Sequence, residues 1–165
     1  MPYLKRKSSK SKSKPRTITI LIDDRERSPW NISHPDFKFE KCRLNVGDYT
    51  IKGFEDKVAI EKKSGIIELI SNLSGKDRPR FKKFLAKLSK YPIKCIIIED
   101  SFSHIESAFR ACTKTHLEPA SIYYWLSVIN IEYNIPTIFI GNNKQQRETF
   151  LYYLFSEAVK QLDKI

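Results

Sequence analysis

Apolar and polar positions along the chain change their period at residue 65, and the change divides the elements it predicts. Before it, short runs read as strands. Residues 17–22 (TITILI) form a continuous apolar run that ends in charge, the mark of a strand buried on both faces. Residues 37–44 alternate, with Phe37, Phe39 and Lys41 on one side and Lys38 and Glu40 on the other. Residues 48–52 and 57–61 read as a hairpin around Gly53, with Val58 and Ile60 on one face and Ala59 and Glu61 on the other. The first strands are thus expected to run as a meander.

After Gly65 the spacing is helical. Ile66, Leu69, Ile70 and Leu73 recur until Gly75. Phe81, Phe84, Leu85 and Leu88 make a second amphipathic helix, with Lys82, Lys83 and Lys87 outside. A strand at 94–98 (KCIII) follows Pro92, and Pro119 opens a helix through Ile122, Trp125, Leu126, Ile129 and Tyr133. Pro136 introduces a strand at 137–140, and a last helix uses Leu151, Leu154, Phe155, Ala158 and Leu162. Strands that later alternate with helices predict an α/β sandwich on a mixed central sheet.

Composition adds a boundary. The 165 residues carry a net charge of +11, but residues 1–16 hold seven Lys or Arg and no acid, which leaves +4 for residues 17–165. A Ser-rich basic arm of this kind is expected to be disordered and to favour a polyanion, although a solubility tail has the same composition. The folded part, 17–165, is long enough for one domain with its own core. Cys42, Cys95 and Cys112 are odd in number and lack a CxxC, and His34, His104 and His116 lack paired spacing. A disulfide scaffold and a zinc site are therefore disfavoured. No apolar run approaches membrane-spanning length, so a soluble, intracellular protein is expected, in a prokaryotic or virus-infected cytoplasm or in a nucleus.

The candidate chemistry lies in residues 47–64, GDYTIKGFEDKVAIEKKS. The hairpin can bring Asp48 and Glu61 side by side, and period two puts Lys63 on the face of Glu61. Gly47-Asp48 alone is an ordinary turn, and Glu61-Lys62-Lys63 alone is a weak signal. Together, two carboxylates and a lysine are the parts that can hold Mg²⁺ and activate water against a phosphodiester. Asp23 joins them at the end of the first strand.

The order of Ile-Asp-Asp-Arg-Glu (22–26), Val-Gly-Asp-Tyr (46–49) and Ile-Glu-Lys-Lys-Ser (60–64) resembles the nuclease domain of XPF-type structure-specific endonucleases. That family reads V-D-x-R-E, V-G-D-Y and E-R-K-S on a restriction-endonuclease-like three-layer sandwich, and the resemblance runs from about residue 17 onward. It implies Asp48 and Glu61 as metal carboxylates for Mg²⁺ or Mn²⁺, helped by the carbonyl of Lys62. It implies Lys63 as the group that orients or deprotonates the attacking water. Asp23 matches an acid that approaches the metal or a second ion. Arg25 and Glu26 match the Arg-Glu pair, with Arg25 holding the scissile phosphate through its fork. The residues expected on DNA are Lys5, Arg6 and Lys7 of the arm, with Arg25, Lys62, Arg78 and Arg80.

Three departures stand out. Lys62 replaces the arginine of E-R-K, and the acid that usually follows E-R-K-S is found only one residue further on, as Glu68. No helicase motifs precede the domain and no helix–hairpin–helix module follows it, so targeting is expected from the arm, from self-association or from a partner protein such as a helicase. The resemblance implies a metal-dependent endonuclease acting on flaps or forks in DNA repair, recombination or replication. The rival readings are a non-catalytic DNA-binding or scaffold subunit and a sequence-specific restriction-type endonuclease. A homodimer is also expected, because the last helices carry Tyr123, Tyr124, Tyr152 and Tyr153 beyond their core stripes.

Overall fold

The structure is a computed structural model that describes residues 17–112 and 114–164. Lys5, Arg6, Lys7 and the rest of the basic arm lie outside the described residues. The strands are β1 (Ile18–Asp23), β2 (Phe37–Cys42), β3 (Tyr49–Ile51), β4 (Val58–Lys63), β5 (Ile93–Ile98) and β6 (Thr137–Phe139). The helices are α1 (Ile66–Leu73), α2 (Asp77–Leu88), α3 (Ile105–Ala111), α4 (Pro119–Ile131) and α5 (Lys144–Leu162). All six strands form one mixed sheet in the order β2-β1-β3-β4-β5-β6.

That order corrects the expected meander. β2 does not pair with β3; it lies parallel to β1 at the edge, and β1 pairs antiparallel with β3. The reason is in the side chains. Ile20, Leu21 and Ile22 are buried on both faces of β1 and need neighbours on both sides, whereas Lys38, Glu40 and Lys41 of β2 tolerate solvent at an edge. The hairpin of β3 and β4 is present, with Tyr49 opposite Ile60, and β4, β5 and β6 then run parallel.

Two apolar layers sandwich the sheet. On one face Ile20, Ile22, Val58, Ile60, Cys95 and Ile97 pack against Leu151, Phe155, Ala158 and Leu162 of α5. On the other, Ala59, Ile96 and Ile98 meet α1, α2, α3 and α4 through residues such as Leu69, Leu85, Ile105 and Ile129. Period two along β4 therefore assigns its side chains: Val58 and Ile60 face α5, and Ala59 faces the four-helix layer.

Two elements exceed the expectation. α3 has Ile105 as its one buried residue, so its sequence shows almost no apolar period. α5 begins seven residues before Leu151, where Asn143 caps it by accepting the amide of Gln146 at 3.0 Å. Among the described residues, no helix is long and apolar enough to cross a membrane.

Candidate active site

Alternation along β4 sends Glu61 and Lys63 to the face of α1 and α2 and turns Lys62 to the face of α5. Glu61 and Lys63 are both largely buried. The Lys63 Nζ donates to Glu61 Oε1 at 2.7 Å and to Glu68 Oε1 at 3.3 Å. It also stands 5.4 Å from the ring centre of Phe81 and 6.0 Å from that of Phe84. The Lys63 ammonium is thus enclosed by two carboxylates and two aromatic faces. Glu68, in the first turn of α1, accepts the Ser64 amide at 2.8 Å with its other oxygen.

Asp48 reaches the same place through the Gly47 turn. Gly47 has φ +78°, and a Cβ there would lie 2.9 Å from the carbonyl oxygen of Ile60, so glycine allows the turn to press against β4. The Asp48 amide donates to the Ile60 carbonyl at 2.9 Å, and its Oδ2 accepts the Lys62 amide at 2.8 Å. Asp48 therefore brackets Glu61 on β4.

Burial, and then the charge of Glu61, push the Asp48 carboxyl up to about 7. Burial also raises the Glu61 carboxyl, although Lys63 opposes it. Burial works against the charge of Lys63, but Glu61 and Glu68 outweigh it and raise the ammonium above its ordinary value. Glu68 is lowered: burial alone would raise it, and Lys63 with the Ser64 donors prevails. All four groups line a cavity of about 790 Å³, which Asp23, Arg25, Glu26 and Arg80 also border.

The first-motif residues are arranged differently from the expectation. Asp23 is 2% exposed, and both its oxygens are engaged. Oδ1 accepts Arg25 N and Nε at 3.0 and 2.6 Å, and Oδ2 accepts Arg25 Nη2 at 2.9 Å and the Leu44 amide at 2.8 Å. The Arg25 fork expected on a phosphate is occupied by Asp23, and Nη2 also donates to the Leu44 carbonyl at 3.0 Å. The Arg25 hydrogen bond holds the Asp23 carboxyl down at about 2. Asp23 in this arrangement braces the rim of the cavity and has no free oxygen for an ion.

Lys62 is corrected as a side-chain DNA contact. Its side chain is 4% exposed, with Nζ on the Ser28 carbonyl and near Glu26 Oε1 and Glu99 Oε2, at 3.5 and 3.8 Å. Glu26 accepts the Ser28 amide at 2.7 Å. Arg78 donates to the Leu73 carbonyl at 2.8 Å and so closes the end of α1; Arg80 is exposed and borders the cavity. Sequence reasoning left out Asn72, Phe81 and Phe84, which also line it. Asn72 Oδ1 is a buried acceptor without a hydrogen-bond partner among the described residues. Its signal in the sequence was faint, a polar position one residue before the buried Leu73 on α1.

The donor set fits a hard cation. Asp48 and Glu61 supply carboxylate oxygens, and their raised affinity for protons is what two crowded acids show when a cation's charge would relieve them. Among the described residues, no group of three or more His, Cys, Asp or Glu is placed to hold a metal ion. The pair of carboxylates itself suits Mg²⁺, which takes one or two and completes its shell with water and phosphate.

The family model described as the ERCC4 domain matches residues 22–154. Among solved structures, XPF from Aeropyrum pernix superposes with a TM-score of 0.61 at 18% identity, over 85% of this chain and 61% of that one. XPF from Aeropyrum pernix in complex with DNA gives 0.62 at 18% identity, over 87% of this chain and 66% of that one. The chain spans less than two thirds of the length of either, and at this identity the likeness is one of fold. No curated protein sequence matches.

Proposed function

The chain belongs to the ERCC4 domain family, the XPF nuclease family, and from that premise we propose that it is a metal-dependent endonuclease that hydrolyses DNA phosphodiesters near duplex–single-strand junctions. The observation that carries the reading is the set of Asp48, Glu61 and Lys63, brought together in the lining of one cavity. A bound Mg²⁺ or Mn²⁺ would supply Lewis acidity toward the phosphate and a more acidic water. Asp48 and Glu61, with the Lys62 carbonyl, are the residues that would hold it. Lys63 stays an ammonium between Glu61 and Glu68, so its part is to orient the attacking water and stabilise developing negative charge. Arg80 and the exposed Arg25 border the cavity and favour a phosphate backbone there, and the seven basic residues of 1–16 add sequence-independent attraction to a polyanion.

Several features support the partners in this reading. The structural relative was solved with DNA. Tyr124, Ile131 and Tyr153 are 62%, 81% and 65% exposed, apolar surface that a second copy could cover, and we read the protein as a homodimer. Tyr152 is not part of that surface, since its ring packs on His34 and Phe37. Cys42, Cys95 and Cys112 are free thiols, which suits a reducing compartment inside a cell.

The deciding experiment incubates the protein with labelled 3′-flap, fork, splayed-arm and linear duplex DNA in Mg²⁺, Mn²⁺ or EDTA. Junction-dependent cuts with metal and none in EDTA are expected. Binding without any cut would favour the non-catalytic subunit, and cuts at one recurring sequence in duplex DNA would favour the restriction-type enzyme. Sedimentation at micromolar concentration tests the dimer.

A further inference from the structure

Behind the catalytic face, a second set of charges is built around Glu99, one residue past the end of β5. Its amide donates to the Lys63 carbonyl at 2.9 Å, so its backbone is fixed to the strand that carries the site. Its side chain, 14% exposed, ties together three other parts of the fold. Oε1 accepts the Trp30 indole Nε1 at 2.6 Å and pairs with Arg147 of α5 at 3.1 Å. Oε2 lies 3.8 Å from the Lys62 ammonium. Lys62 Nζ in turn donates to the Ser28 carbonyl, lies 3.5 Å from Glu26 Oε1, and stands 5.9 Å from the Trp30 ring centre. The Trp30 ring stacks on Tyr49 at 4.2 Å, and its amide donates to the Tyr49 hydroxyl at 2.9 Å.

The segment these contacts hold has no regular hydrogen-bond ladder of its own, because residues 24–36 form neither helix nor strand. Yet Glu26, Arg27 and Ser28 form one wall of the catalytic cavity. Glu26 comes close enough to raise the carboxyls of both Asp48 and Glu61 by its charge. A buried ammonium that loses one of its carboxylates must find another partner or water, and the loop is the part that can move.

We propose that Glu99 is a positioning residue of the active site: by holding the Lys62 ammonium and the Trp30 indole together, it fixes residues 26–30 as a wall of the catalytic cavity. The kinetic part of this proposal rests on the nuclease reading; the placement of the wall does not. Lys62 then acts through its side chain on the rear of the site.

The test uses Glu99→Gln in a Trp125→Phe background, where Trp30 is the remaining tryptophan. The amide keeps an oxygen for the indole and loses the charge that Lys62 and Arg147 face. Expected results are a shifted Trp30 emission, faster amide exchange confined to 24–31, and a single-turnover cleavage rate reduced about tenfold to a hundredfold by misplacement. DNA affinity should stay within about twofold, the signature of a loss made after binding. Lys62→Met and the double variant complete a cycle, and the double variant should be little worse than Lys62→Met alone. Arg147→Gln, which removes the helix side of the cluster, is the substitute if Glu99→Gln does not fold, with the same local exchange signature expected. Unchanged emission and exchange at 24–31 would overturn the proposal. So would additive losses, or a variant that melts earlier while the folded fraction cuts at the wild-type rate. If the wild-type protein cuts no DNA, the nuclease reading fails separately, and the emission and exchange measurements still decide the role of Glu99.

Discussion

The carboxylate of Asp48 accepts the backbone amide of Lys62 at 2.8 Å, and this bond sets Asp48 beside Glu61 without using the side chain of either neighbour on β4. The tie occupies Oδ2, and Asp48 lines the same cavity as Glu61. Two buried acids are thereby held in a crowded state by backbone geometry, where repulsion between them can be relieved by a proton or by a cation.

Replacing either acid by its amide separates these two reliefs. Asp48→Asn or Glu61→Gln should lower cleavage by at least about a hundredfold, as for loss of a preorganised charge at a reacting centre. Asp48→Asn should not lower the melting temperature in EDTA by more than a few degrees, since a repulsion is removed with the charge, whereas Glu61→Gln also weakens the 2.7 Å pairing with Lys63 and should melt earlier. Cleavage assays and thermal melts on the same samples check both halves. A variant that cuts at the wild-type rate removes that acid from the site.

The pH dependence follows from the sign of the Asp48 shift. Its folded-state value is raised from 3.8 to about 7, so the favoured folded form carries the proton. Its contribution to stability is complete below pH 3.8 and is lost as pH rises through about 7. In EDTA the melting temperature should include a falling component over that range. Metal must displace the proton, so Mn²⁺ affinity should climb with pH up to about 7 and then level. Calorimetry in buffers of different ionisation heat would show proton release below that point. A flat affinity from pH 5 to 8 would contradict the shift.

Lys63→Met should reduce the cleavage rate on the order of a hundredfold while DNA binding persists. It also leaves Glu61 and Glu68 without their shared ammonium. Raising the Mn²⁺ concentration distinguishes the two consequences. Recovery of the rate at high metal would mean that Lys63 acts mainly on the acids, and a persistent deficit places it in the chemical step.

Asp23→Asn should cost about 1–3 kcal/mol of stability, the range for hydrogen bonds to a charged group, lessened because Arg25 is 61% exposed. The new amide hydrogens would face the Leu44 amide or the Arg25 guanidinium, which are themselves donors. The sign is opposite to that of Asp48. The Asp23 contribution is present above the ordinary value of 3.8 and is lost as pH falls through about 2. Urea titrations at pH 7 and pH 3 would read it, with a smaller difference between variant and parent at the lower pH.

Gly47→Ala should destabilise by about 1–3 kcal/mol, because a side chain in this left-handed conformation is strained. Its methyl would also meet the Ile60 carbonyl oxygen at 2.9 Å. The displaced turn carries Asp48, so cleavage should fall further than the loss of folded protein explains. Circular dichroism melts beside the cleavage assay test this, and equal losses in the two would make Gly47 a stability residue alone.

Local rules of the chain account for the composition of the site. Asp48, Glu61 and Lys63 fall in one hairpin, and period two is a local rule that places the last two on one face whatever the rest of the chain does. The same rule turned Lys62 away, although it says nothing of what Lys62 meets. Helices α1 and α2, with their apolar stripes, and α4, apolar on most sides and opened by Pro119, were legible from local sequence too, and α3 was not, since it buries one residue.

Long-range packing settled the remainder. It put β2 outside β1, folded the Arg25 fork onto Asp23, and brought Glu99, Trp30 and Arg147 around the Lys62 ammonium. Glu99 and Trp30 are separated by 69 positions in the chain. Pairings of that kind depend on which strands become neighbours and how a loop closes over them. Those choices are settled by burying both faces of the sheet together, and no local pattern of residues carries that information.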